Sequence, residues 1–410
     1  MDVGNIAELN TFLVLDAVRS RGRVTRSQLA RELGLSDASV SRIVKRLLDS
    51  GTIAELPGEP TARGRIPTIL EFVGPIGAVI AVDLGGTQCH GALADLAGGT
   101  VAEDFRAAGA GEAAADRLLA CIAALKARAA ELTWPVRAIV VGIPALIDPA
   151  TGLATAGPNV DWQGYDLIGA LAESLAEPFE VDNDVNLGAL GQAWRGAGRG
   201  ISSFVLMSLG TGIGGALVID GHLIRGRHNA AGELAYFPVA ALPVEAYEPP
   251  EAGHSRGIGL PRSGFEDVAS SLALRARVIE LAELGEPTTL DLTSFELADV
   301  FKAALDTDRV GQRVVRELTG HVAAAIAGTT ALLDPDRIIL DGSIGRALEP
   351  WLGELQALVE AQVFRSPEIV ISELGPNATV TGAIARALAM VTEQELPAKL
   401  PPTALGPRVP

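Results

Sequence analysis

Apolar positions set the first boundaries along the chain. Leu9, Phe12, Leu13, Leu15, Ala17 and Val18 recur at helical spacing over residues 6–20, which predicts an amphipathic helix. Thr25 is a good N-cap for a short second helix ending at Leu33, with Gly34 as its left-handed stop. Ser36 caps a third helix to about Ser50, which Gly51 ends. Its buried stripe is Val40, Ile43, Val44 and Leu47. Two β segments follow, at 52–55 and 66–72, separated by the Pro-, Gly- and Arg-rich stretch 56–65. Helix, glycine-containing turn, helix and hairpin predict a winged helix-turn-helix over residues 1–72.

Beyond Gly74 and Pro75 the pattern changes. Strands are predicted at 78–83, 89–94 and 100–104, joined by glycine turns, and an Ala/Leu helix at 111–132 leads to a buried strand at 136–141. Helix 166–176, strand 179–181 and helix 185–194 follow. From Phe204 the scheme restarts with strand 204–209, a glycine-rich turn and strand 216–219, then helices and a strand at 337–340. A β-β-β-α-β-α unit used twice predicts a duplicated α/β body of two lobes with a cleft between them. The first lobe is expected over 73–186, joined by a C-terminal helix at 379–394, and the second over 187–378. Residues 396–410 hold five prolines and little to bury, so a disordered tail is expected.

At 410 residues the chain is too long for one core. No apolar run approaches the ~20 residues of a membrane span. Met1-Asp2-Val3-Gly4 lacks the basic and apolar stretches of a signal peptide, so a cytoplasmic protein with no membrane partner is expected. Two cysteines, Cys89 and Cys121, are too few for a disulfide framework or a thiolate zinc cluster. The net charge of −17 speaks against nucleic acid until its distribution is read. Residues 1–72 carry ten Arg/Lys against nine Asp/Glu, and within 19–65 the count is ten against five. A basic module on an acidic body suits a protein that touches DNA at one end.

In the third helix the buried stripe leaves Ser39, Ser41, Arg42, Lys45 and Arg46 facing out. Arg42 suits a guanine edge, and Lys45 and Arg46 suit phosphates. Arg63 and Arg65 of the wing suit a neighbouring minor groove. Gly210-Thr211-Gly212-Ile213-Gly214-Gly215 satisfies G-x-G-x-x-G, but a dinucleotide fingerprint must open a helix, and here a strand follows. It therefore reads as a hairpin tip whose backbone N–H groups can cradle phosphate. Asp83-Leu84-Gly85-Gly86-Thr87 has the same setting in the first half. Asp184, between a strand and a helix, is either a catalytic base or an ordinary N-cap. Asn159, Asn183, Glu233 and Glu266 add the polar groups a polyhydroxylated ligand needs.

With these motifs in order, the chain resembles the ROK family (repressors, open reading frames and kinases) of the actin-like, hexokinase-like sugar kinase superfamily. The resemblance rests on Leu209 to Gly215, Gly221, Arg225-Gly226 and Ala231-Gly232-Glu233, and on the wing Arg63-Gly64-Arg65-Ile66-Pro67. It implies a sugar held by Asn159, Asn183, Asp184, Glu233 and Glu266, with Asp184 as base in any kinase reaction. It also implies ATP phosphates at the turns of Asp83, Gly85, Gly86 and Thr87 and of Gly210, Thr211 and Gly212.

Departures from the family pattern bear on activity. Tyr236 stands where a zinc-ligating His is usual, and residues 247–263 contain no Cys, so no metal is expected despite His228 and His254. Gln88 replaces a common Lys beside the first turn, and Asp341-Gly342-Ser343 replaces a triple-glycine turn near the adenosine. The reading that results is a sugar-responsive transcription regulator, a dimer on pseudo-palindromic operator DNA with no required cofactor. Its alternatives are an active sugar kinase using Mg-ATP and a kinase-like body that serves only to dimerise the DNA reader.

Overall fold

The computed structural model describes residues 14–15, 17–19, 21–49, 51–58, 67–73, 77–109, 113–148, 151–154, 166–239 and 264–394. Asn159, the wing arginines Arg63 and Arg65, His254 and the tail 396–410 lie outside the described residues.

Thr25 does two jobs at the start of the N-terminal unit. It ends strand β1 (Arg23–Thr25) and caps helix α1 (Arg26–Leu33), its side chain accepting from the Gln28 amide while the Gln28 side chain accepts from its own. Gly34, at φ 63, closes α1 in the left-handed conformation. Ser36 caps α2 (Asp37–Asp49), its hydroxyl accepting from the Ser39 amide at 3.2 Å. β2 (Ile53–Pro57) and β3 (Thr68–Phe72) form the hairpin, and β1 joins it in the order β1-β3-β2. Three residues of β1 are too few for an alternating pattern, so the sequence does not announce this strand. Val14, Val18, Leu29, Val40, Val44, Leu47 and Leu70 make the core, while Ile43, expected in the buried stripe, is only half-buried at its edge.

The body contains two sheets of the same design. In the first, β4 (Ala78–Leu84), β5 (Gln88–Asp95), β6 (Thr100–Ala107), β7 (Val136–Ile143) and β8 (Phe179–Asn183) lie in the order β6-β5-β4-β7-β8. Helices α3 (Ala114–Glu131) and α4 (Leu167–Ser174) make the crossovers. In the second, β9 (Phe204–Leu209), β10 (Ile213–Ile219), β11 (His222–Ile224), β12 (Arg337–Asp341) and β13 (Glu368–Ile371) lie in the order β11-β10-β9-β12-β13. In both sheets the first three strands are antiparallel and the last two parallel. The duplicated two-lobe α/β body read from the sequence is therefore present, with the short β11 and β13 as the strands the pattern missed.

Helix α5 (Asp184–Arg195) follows β8, and the C-terminal α12 (Ala378–Gln394) packs across it. Their apolar faces share a core with strands of both sheets, including Val79, Val140, Leu206 and Ile339. The crossing needs glycine: a Cβ on Gly382 would stand 1.7 Å from the Leu187 carbonyl oxygen. The second lobe adds α6 (Glu266–Ala269), α7 (Ser271–Glu283), α8 (Leu297–Leu305), the long α9 (Arg309–Leu333), α10 (Gly342–Ala347) and α11 (Leu352–Glu360). No helix among the described residues is long and apolar enough to cross a membrane.

Candidate functional site

Strand β8 runs directly into α5, and the junction sorts two neighbouring polar residues into different roles. Asn183 is the N-cap, its Oδ1 accepting from the Val185 and Asn186 amides at 3.0 and 3.1 Å. The capping role considered for Asp184 thus falls one residue earlier, and Asp184 stands in the first helical turn. Burial pushes the Asp184 carboxyl up to about 7, against the stabilising amide of Val185, with Glu233 and Asp182 adding to the rise. Asp83, near the end of β4, is also pushed up to about 7, by burial and then by the charge of Asp184. A carboxyl near the end of β4 and one in the first turn of α5 therefore lie close enough to feel each other's charge, and each is near enough to neutrality to exchange a proton at physiological pH. Asn183 has its Nδ2 left for other partners, with the Ala145 carbonyl at 3.5 Å.

The two glycine turns are braced differently. In the first, the buried guanidinium of Arg117 on α3 donates to the carbonyl oxygens of Gly85 and Gly86 at 3.3 and 3.4 Å. In the second, the Gly210 carbonyl accepts from the amide and hydroxyl of Ser271, and a Glu266 oxygen accepts from the Ile213 amide at 2.8 Å. Glu266, read as a sugar ligand, is thus held at the second glycine turn, 3.0 Å from where a Cβ on Gly212 would stand. Gly214 and Gly215 belong to β10 rather than to the turn. Both must be small because Val185 and Leu234 pack against them, at 2.6 and 2.5 Å from where a Cβ would stand. Gln88 is exposed at the start of β5. Asp341 is buried, caps α10 by accepting from the Gly342 amide, and pairs with Arg346 at 3.3 Å.

Glu233 precedes a 3₁₀ turn, Leu234–Tyr236, and burial raises its carboxyl, with Glu266 adding to the rise. Upstream, Arg225 reaches from the second lobe to Asp182 of β8 at 2.5 Å, and Asn229 donates to the Ile147 carbonyl at 2.8 Å. These contacts border a cavity of about 360 Å³ that also touches Asn183, Glu180 and Arg386. The roles of Arg117 and Arg225 are not legible in the sequence. The Arg225-Gly226 pair stands out there only as a motif, and a lone Arg in an Ala/Leu helix gives no signal of its own.

The residues present do not fit the family's zinc. Tyr236 offers no nitrogen, and both cysteines lie buried in the first-lobe core, on β5 and α3. Among the described residues no group of three or more His, Cys, Asp or Glu could hold a metal ion.

On α2, Ser41, Arg42, Lys45 and Arg46 are exposed above the buried Val40, Val44 and Leu47. Ser39 is half-buried instead, its hydroxyl accepting from that of Ser36 at 2.9 Å, so it is committed to the helix cap.

Residues 79–390 match the model of the ROK family, and residues 8–64 match that of the MarR family. The chain is 24% identical over 394 residues to the xylose repressor of Caldicellulosiruptor bescii, covering 93% of this chain and 95% of that protein. It is 31% identical over 252 residues to a glucokinase of Halalkalibacterium halodurans, covering 59% of this chain and 73% of that one. The crystal structure of a ROK family transcriptional regulator, a homolog of the E. coli MLC protein, superposes with a TM-score of 0.77 at 25% identity. That alignment covers 96% of this chain and 99% of the regulator.

Proposed function

The chain belongs to the ROK family, and from that premise we propose that it is a sugar-responsive transcription regulator, a repressor of sugar-utilisation genes. One observation carries the reading: a DNA-reading helix with Ser41, Arg42, Lys45 and Arg46 exposed shares one chain with an acidic, kinase-like cleft. The xylose repressor matches across both parts, whereas the glucokinase matches over 59% of the chain.

Residues 1–72 form the DNA-binding unit, with Arg63 and Arg65 of the wing completing its contacts. The sugar sits among Asn159, Asn183, Asp184, Glu233 and Glu266, between lobes placed at 73–186 (with the C-terminal helix) and 187–378. Closure of the lobes changes the separation of two winged helices in a dimer. A dimer must match half-sites about one helical turn apart, ~34 Å, so a modest change of spacing weakens the complex. By linkage, bound DNA weakens sugar binding by the same factor.

The test is fluorescence anisotropy of the full chain on DNA from upstream of its own gene, with and without each of a panel of sugars. The expected result is tight binding that one sugar relaxes. Operator affinity unchanged by every sugar would remove the effector model, and no binding by the wild type with equal behaviour of Arg42→Ala would remove the DNA reading. A kinase reading draws on Asp184, relieved of capping and near neutral pKa. It requires ADP release from Mg-ATP and a sugar, lost in Asp184→Asn. The Glu266 carboxylate on the Ile213 amide, directly after the second glycine turn, opposes it.

A further inference from the structure

The segment carrying Glu233 is fixed from two directions. Gly232, at φ 90, lies so close to β10 that a Cβ would meet the Gly215 carbonyl oxygen at 2.4 Å. Leu234 is buried in the second-lobe core, and Phe237 packs on α9, where a Cβ on Gly328 would meet its ring at 2.4 Å. Residues three apart eclipse in a 3₁₀ turn. Leu234 and Phe237 therefore share the core side, and Glu233 and Tyr236 share a second side of the turn. An antiparallel bridge between Pro238 and Gly264 then sets the start of α6, with Glu266, beside this turn. Tyr236 is 43% exposed there. Burial and then the charges of Glu233 and Glu266 raise its phenol, so the hydroxyl keeps its proton.

A sugar needs more than this cleft's carboxylates supply. Carboxyl groups such as those of Asp184, Glu233 and Glu266 act on a sugar through hydrogen bonds to its hydroxyls, and they offer nothing to the C–H face of a pyranose. A tyrosine supplies both a flat apolar surface and a polar tip. Resting on the sugar-cleft reading above, we infer that Tyr236 is a specificity-determining residue of this cleft. Its ring is the platform for the C–H face of a pyranose, and its hydroxyl is a donor to a sugar oxygen. The ligand class is a pyranose with no axial hydroxyl on the stacked face, because such a group lifts the sugar off the ring.

Isothermal titration of the full chain with D-glucose, D-xylose, D-galactose, D-mannose and D-allose tests this. D-galactose and D-mannose carry an axial hydroxyl on one face of the ring and D-allose on the other. The wild type is expected to bind D-glucose or D-xylose about tenfold tighter than the epimers of one face. Tyr236→Phe is expected to lose several-fold in affinity with the order of sugars kept, as for one lost hydrogen bond. Tyr236→Leu is expected to lose about tenfold or more and to level the difference between epimers. Thermal unfolding of the unliganded variants reports folding, and Tyr236→Phe carries the test if Tyr236→Leu unfolds. Wild-type affinities and order in Tyr236→Leu, or no discrimination of epimers by the wild type, would overturn the inference. Glu233→Gln separates the two levels: binding lost there but untouched in Tyr236→Leu overturns only the role of Tyr236. Binding untouched in both, or no sugar bound by the wild type, overturns the cleft reading beneath it.

Discussion

The turn after β4 and the turn after β9 hold equivalent places in two sheets of identical strand order, yet opposite charges brace them. Beneath the first lies the Arg117 guanidinium, bonded to the carbonyls of Gly85 and Gly86. On the second lies the Glu266 carboxylate, bonded to the Ile213 amide. A cation behind a turn favours an anion in front of it, whereas a carboxylate already on a turn amide competes with one. Duplication has therefore kept the backbone scheme while the two sites diverged in electrostatics. The first turn has a cation behind its carbonyls, and the second has a carboxylate on the amide that follows it. That division fits a body that senses a neutral sugar better than one that grips a nucleotide from both lobes.

The largest expected effect tests what the lobes share. Gly382→Ala forces a methyl group against the Leu187 carbonyl in the α5–α12 crossing and should cost about 3 kcal/mol by urea unfolding. A loss below about 1 kcal/mol would mean that the lobes do not depend on that crossing.

Next comes the brace itself. Arg117→Met removes buried charged hydrogen bonds and should cost ~2 kcal/mol in the same assay. Glu266→Gln keeps a side chain of the same size and an oxygen to accept from Ile213, so it should cost less than ~1 kcal/mol. Equal losses in the two variants would erase the contrast between the turns.

Asp184→Asn should act in the opposite direction. The folded carboxyl keeps its proton to about pH 7, while the unfolded one titrates near 3.8, so the native state binds more protons in that window. Its contribution is full below pH 4 and is lost as pH rises to about 7. The variant, which cannot ionise, should exceed the wild type by at least roughly 2 kcal/mol at pH 8, and the two should converge in acid. Unfolding midpoints at pH 5 and pH 8 decide it, and a wild type that is the more stable at pH 8 would refute the buried-carboxyl account.

The smallest effect is the most specific. Glu266→Gln removes a negative charge from the second turn, so calorimetric affinity for a non-hydrolysable ATP analogue should rise about fivefold, roughly 1 kcal/mol. Affinity that stays level or falls would show that the carboxylate does not guard that turn.

Much of this architecture is readable along the chain. Thr25, Gly34 and Gly51 punctuate the N-terminal helices, the two glycine hairpins repeat, and the exposed face of α2 follows from where Val40, Val44 and Leu47 fall. Departures come where a residue can serve two masters. Asn183 and Asp184 are both good caps, and only the path of β8 into α5 decides that Asn183 takes the role. Ser39 lies on the outward arc of the helix by spacing, yet the Ser36 hydroxyl claims it. β1 and β13, of three and four residues, are too short to carry an alternating signal and exist because neighbouring strands offer them a ladder.

What the sequence alone determined, then, is everything set by near neighbours: caps, amphipathic stripes, glycine turns, the repeated order of elements and the uneven charge. The tertiary structure alone decided which charge stands behind each turn, which residue caps α5, and which side of the 3₁₀ turn Tyr236 shares with Glu233. Arg117 and Gly85 are 32 residues apart, and Ile213 and Glu266 are 53 apart. Bonds over such separations depend on how sheets and helices pack, and no local periodicity encodes that packing.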